Sequence, residues 1–183
     1  MKFKILFILL LLIGLSQTAF SQIEEMPNSA KVLAEKVKAG DDKSILEAGS
    51  SGDKTLVPYL KTLAAKDSPW AYMALAKLGE TEYLNQILTE VDAENPSIQD
   101  RAMEKLSYVG GKAAFKKFYE LLDDITPRQT ESRCVVFFTR SVMAMFFLRK
   151  MVENPPTSTR HSGNSKDIAL WKEWFITNKH LIE

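Results

Sequence analysis

Thiol, imidazole and net charge are all scarce in this chain. There is one cysteine in 183 residues, so no intrachain disulfide can form and stability has to come from packing. Cys134 lies in the apolar run Cys134-Val135-Val136-Phe137-Phe138, a setting that suits a buried structural thiol better than a reactive one. The two histidines, His161 and His180, stand apart from any Cys, His or carboxylate cluster with ligand spacing, so no metal site is expected. No phosphate-binding loop, dinucleotide fingerprint or nucleophile elbow is present. Gly110-Gly111 reads as a turn between helices, and Asp41-Asp42 and Asp123-Asp124 read as solvated helix ends rather than paired catalytic acids. With 24 Lys+Arg against 23 Asp+Glu, the chain lacks the basic footprint that nucleic acid demands. No alternating Val/Ile/Thr-rich segment argues for a sheet. These absences point away from catalysis, and neither catalytic residues nor a cofactor is expected.

What is present begins with an export signal. Lys2 and Lys4 form a basic start, Ile5 to Leu15 is apolar apart from Gly14, and Ala19-Phe20-Ser21 is a small-x-small cleavage site. The apolar core is too short for a comfortable membrane span. Residues 1–21 therefore read as a secretory signal peptide, with Gln22 as the new N-terminus. The short basic start and the Phe-Ser-Gln junction have a bacterial look, which places the protein in the periplasm or outside the cell, with no membrane span after cleavage. The remaining 22–183 is about 160 residues, enough for one domain with a real core. Loss of Lys2 and Lys4 turns the formal charge of +1 slightly negative.

The rest of the chain repeats. Ile45-x-x-Ala48-Gly49, Leu75-x-x-Leu78-Gly79 and Leu106-x-x-Val109-Gly110 end alike, with glycines 30 and 31 residues apart. Self-similarity at that period marks a solenoid, whose units bury their apolar faces against their neighbours. At an offset of 31, Ala71 matches Ala102, Leu75 matches Leu106, Leu84 matches Phe115, Ile87 matches Phe118 and Val91 matches Leu122.

Local signals place the helices. Ser29 caps a helix with Val32, Leu33 and Val37 at core spacing, stopped by Gly40, and a short helix follows over 43–48. Asp53 caps the next, with Leu56, Val57, Leu60, Leu63 and Ala64 as its stripe and Pro58 near its first turn. Ser68-Pro69 and Asn95-Pro96 are cap-plus-proline starts for helices ending at Gly79 and Gly110. Between and after them, 81–91 and 112–122 carry apolar stripes. Residues 129–151 read as one long buried helix interrupted by Thr139-Arg140-Ser141, followed by a polar loop over 153–166. Residues 167–178, with Ile168, Leu170, Trp171, Trp174 and Phe175, read as an amphipathic capping helix.

Gly52-Asp53-x-x-Leu56-Val57-Pro58-x-Leu60 and Ala102-x-x-x-Leu106-x-x-Val109-Gly110 resemble HEAT-like repeats, especially the short bacterial kind grouped with phycobilisome-lyase repeats. The resemblance covers about residues 43–122. Trp171-x-x-Trp174 followed by Asn178-Lys179 also looks like the tail of exported bacterial proteins of this type. The second helices lack the usual Arg-Ala-Ala run. The resemblance implies an all-α, right-handed α-solenoid of about four helix pairs with a C-terminal capping helix, used as a protein–protein scaffold. A minority of such families are enzymes, among them bilin lyases and helical-repeat DNA glycosylases.

Second helices of this repeat class line the concave face. With Ala71, Leu75 and Leu78 inward, Trp70, Met73, Lys77, Arg101, Lys105 and Tyr108 fall on the other side. Aromatic and basic side chains together suit an interface, so Trp70, Lys77, Arg101, Lys105 and Tyr108 are the candidate binding residues for an unidentified protein partner. The rival readings are a lyase-like enzyme and a small-molecule or envelope-glycan binder that stacks its ligand on Trp70 and Tyr108. Arg140 stands out because an unpaired cation in an apolar helix is costly. It reads either as a ligand clamp or as half of an internal ion pair, with Glu104 or Asp100 as candidate partners, or as a snorkelling side chain.

Overall fold

The computed structural model describes residues 28–125, 139–157 and 165–183. Residues 1–21, expected to be a signal peptide, and Cys134 and His161 lie outside the described residues. The chain is all-helical there, with no strand among the described residues. The helices are α1 (Asn28–Lys38), α2 (Asp42–Ser51), α3 (Val57–Ala64), α4 (Pro69–Lys77), α5 (Thr81–Val91), α6 (Pro96–Val109), α7 (Gly111–Leu121), α8 (Arg140–Met151) and α9 (Ser165–Thr177). Short 3-10 turns cover Lys54–Leu56 and Lys179–Leu181.

Side-chain caps set most of the starts. Asp41 Oδ2 accepts from Ser44 N at 2.8 Å, and these hydrogen bonds from Ser44 hold the Asp41 carboxyl below its ordinary value. Ser68 Oγ accepts from Ala71 N at 3.4 Å, and Asn95 Oδ1 accepts from Ser97 N at 2.9 Å. Pro69 and Pro96 occupy the first helical position, where the missing N–H leaves no bond unmade. Asp53 caps as expected, accepting from Thr55 N at 2.9 Å. It opens a 3-10 turn before α3, since Pro58 has no N–H to donate and its ring crowds the carbonyl four residues back.

Two compact units divide between Leu78 and Gly79. In the first, α2 packs on α4, α3 packs on α4, and α1 lies against α2 and α3. Val37, Ile45, Leu56, Leu60 and Leu75 are buried there. In the second, α5 packs on α6, α8 packs on both α6 and α7, and α9 lies against α8. Phe118 stacks on Phe147 with centroids 6.0 Å apart. Phe175 of α9 meets Tyr119 edge-on at 5.1 Å and Phe115 at 6.4 Å.

Positions paired by the 31-residue offset have matching burial. Ala71, Ala102, Leu75, Leu106, Ile87, Phe118, Val91 and Leu122 are all buried, and Leu84 and Phe115 are both half-buried. Gly79 and Gly110 take left-handed φ values of 92° and 67°, which is why only glycine ends those helices cheaply.

Four expectations fail. Gly49 is helical and buried, and α2 runs on to Ser51 and stops at Gly52, whose φ is 72°. A left-handed stop three residues later makes Gly49 unnecessary as a terminator. Ser29 lies inside α1, which starts at Asn28. In α1 the buried stripe is Ala34 and Val37, while Val32 is 57% exposed. The single helix expected over 129–151 is interrupted at Thr139, which is extended (φ −77°, ψ 163°) and whose hydroxyl accepts from Val142 N at 3.4 Å, so that α8 starts at Arg140. Residues 126–138 are outside the described residues.

Leu75→Ala and Leu106→Ala remove equivalent fully buried side chains and are each expected to cost about 2–5 kcal/mol. Val32→Ala is expected to stay within about 0.5 kcal/mol. Urea midpoints check both, and an equal cost at Val32 would contradict the observed face of α1.

Candidate functional site

The five candidate binding residues sit on two helices, one in each unit. In the first unit, Trp70 occupies the first turn of α4 and Lys77 its last position. They are one heptad apart, so they share a face. Trp70 is 38% exposed and Lys77 is exposed. Partial desolvation by burial lowers the Lys77 ammonium from its ordinary value. Met73, expected beside them, is buried. The reason is that α4 is covered by both α2 and α3, so little more than a narrow strip is left at its surface.

In the second unit, Arg101, Lys105 and Tyr108 recur along α6 at helical spacing and share a face. Ile98, 36% exposed, extends the same stripe by one turn and was not singled out by sequence. Arg101 is exposed, and its Nε donates to Ser97 O at 3.1 Å. Lys105 is half-buried and donates to Glu90 Oε2 of α5 at 2.7 Å. Its charge is thus already matched inside the unit, because α5 and α6 lie side by side. Tyr108 is half-buried.

Arg140 resolves into an internal ion pair, with partners other than those expected. It is the first residue of α8. Its Nη1 donates to Asp124 Oδ2 at 3.0 Å. Its Nη2 donates to Asp92 Oδ1 at 2.9 Å and to Val91 O at 2.7 Å. Val91 is the last residue of α5, so the guanidinium covers one of the carbonyls that a helix leaves without an internal partner. Lys117 of α7 donates to Asp92 Oδ2 at 2.6 Å, and Asp124 O accepts from Ser141 N at 3.0 Å. Asp123 pairs with Lys172 of α9. The Asp123-Asp124 pair is therefore a junction of helix ends, in which Asp123 stays exposed while Asp124, expected to be solvated, is largely covered and ion-paired. Arg140 Nε and Trp171 Nε1 are buried and meet no acceptor among the described residues.

Glu104 and Asp100, the acids expected as partners, lie on α6 and do not pair with Arg140. Asp92 and Asp124 were not legible as partners, since they lie 48 and 16 residues from Arg140 and only the docking of α8 on α7 joins them. The signal available in sequence was Arg140 itself, a cation in an apolar run.

Among the described residues no group of three or more His, Cys, Asp or Glu side chains is placed to hold a metal ion. No helix among them is long and apolar enough to cross a membrane.

The fork of Arg140 gives a test. Arg140→Lys keeps the charge but cannot span Asp124, Asp92 and Val91 O together. It is expected to cost about 1–3 kcal/mol, because it leaves acceptors unmet, and urea unfolding checks it. A variant as stable as the parent would mean that the planar fork contributes nothing.

No known protein family, curated protein or solved structure gives a match to the chain.

Proposed function

We propose that this chain is an exported helical-repeat scaffold, built as a right-handed HEAT-like α-solenoid, that binds another protein through the faces of α4 and α6 without catalysing a reaction. In this reading α1/α2, α3/α4, α5/α6 and α7/α8 are the four helix pairs and α9 is the terminal cap. The order of packing supports it. In the first unit the first helices of successive pairs touch each other, as do the second helices. In the second unit α6 and α8, again second helices, touch. Contact of like helices in successive pairs is what stacking of repeats requires.

The observation that carries the binding reading is the recurrence of exposed or half-exposed aromatic and basic side chains on α4 and α6, the second helices of the α3/α4 and α5/α6 pairs. Trp70 and Lys77 stand on α4, and Arg101 and Tyr108 stand on α6. Side chains of these types dominate interface energetics, and the buried sides of the same helices are occupied by the core. The proposed compartment is the bacterial periplasm or the exterior, reached through the signal over residues 1–21.

Two measurements test this. Intact mass of the exported protein should begin at Gln22, and a full-length soluble species would refute the signal. Cross-linking in envelope extract, read by mass spectrometry, should identify one enriched partner for the wild type. Trp70→Ala with Tyr108→Ala should remove that partner while leaving the helical circular-dichroism signal and Tm nearly unchanged. Undiminished capture by the double variant would exclude these faces as the binding surface.

A further inference from the structure

Four charged side chains meet where α5, α7 and α8 come together. Asp92 follows the end of α5, Lys117 is on α7, Asp124 lies just past α7, and Arg140 begins α8. Their pairings link all three elements. The cations are well embedded, with side chains 17% exposed at Lys117 and 18% at Arg140. Two positive and two negative groups balance at neutral pH.

Acid breaks that balance in one direction only. Carboxylates take up protons, whereas a guanidinium and an ammonium are already charged. Protonated Asp92 and Asp124 would leave two cations close together and largely out of water, without counter-charge. Among the described residues the neighbouring carboxylates are already engaged. Glu90 is occupied by Lys105 on the α6 side. Asp123 is occupied by Lys172 on the α9 side. Burial raises the Asp92 carboxyl, but hydrogen bonds and charge from Lys117 and Arg140 outweigh burial and hold it below its ordinary value of 3.8. A carboxyl held low stabilises the fold at pH above its unfolded value, and that stability is lost as pH falls through the folded value. The Asp92 pairings are thus intact at neutral pH and are lost only as pH falls below that ordinary carboxyl value.

The positions next to it are apolar. Val91 directly precedes Asp92, and Leu121 and Leu122 directly precede Asp123, all three buried. Parting the helix ends uncovers them.

We infer that the Asp92–Lys117–Arg140–Asp124 cluster is an acid-release latch, which holds α5, α7 and α8 together at neutral pH and on acidification lets them part and expose the apolar ends of α5 and α7. This goes beyond scaffold binding and stands independently of it.

Peptide-resolved hydrogen exchange and an apolar fluorescent dye, applied to the full chain from pH 7 to pH 2.5, test the latch. With intrinsic exchange rates corrected for pH, peptides over α5, α7 and α8 should lose protection before those over α2 and α4. The loss should be about tenfold per pH unit for each carboxylate protonated on opening. Dye binding should rise in the same range. Asp92→Asn with Asp124→Asn should show the opened exchange pattern at pH 7 and a flattened acid response. Asp41→Asn, which removes a helix-capping carboxylate from the first unit, should leave the acid midpoint of α5, α7 and α8 unchanged. The latch is overturned if α2 and α4 open at the same pH as α5, α7 and α8, or if the double variant keeps the wild-type midpoint. Should the double variant fail to fold, the wild-type order of exchange decides.

Discussion

Helices of eight to fourteen residues are marginal in isolation, because nucleation is costly and each adds few hydrogen bonds. Every helix here therefore depends on burying a stripe against a neighbour, and this constraint shapes the rest. It explains why caps recur at the starts of α2, α4, α6 and α8, since each satisfies N–H groups that such short helices cannot waste. It also explains why burial is conserved between positions 31 residues apart even where residue type changes, as at Ile87 and Phe118 or Val91 and Leu122.

Where short helices meet at their ends, unsatisfied termini come close together, and charge is used there rather than in the middle of the core. Arg140 is the clearest case. It sits at the start of α8, where a cation is unfavourable to its own helix dipole. It is held because it serves the C-terminal ends of α5 and α7 instead, through Val91 O, Asp92 and Asp124. Lys172 with Asp123 and Lys105 with Glu90 likewise join different elements. The consequence is a second unit whose helix ends are tied by groups of opposite sign.

Covering by neighbours also decides which side chains of α4 and α6 reach the surface. α4 keeps Trp70 and Lys77 exposed, and α6 keeps Ser97, Ile98, Arg101 and Glu104 exposed with Tyr108 half-buried. Lys105 is paired with Glu90 of α5. The surface of α6 therefore carries both signs of charge beside its apolar and aromatic side chains.

Local chemistry made the helix boundaries legible in the sequence. Ser68-Pro69, Asn95-Pro96, Gly79 and Gly110 act within a turn of their own position, so no distant information is needed to interpret them. Periodicity likewise fixed which side of α4 and α6 is buried at Ala71, Leu75, Ala102 and Leu106. Tertiary structure alone decided what depends on how helices are covered and where their ends meet. Met73 is buried because two helices lie on α4 instead of one. Gly49 passes through a helix because Gly52 offers a later left-handed stop. Arg140 finds Asp92 and Asp124 because α8 docks at the ends of α5 and α7. Helical period specifies direction around one axis, and these outcomes depend on the distances between axes, which no single helix encodes.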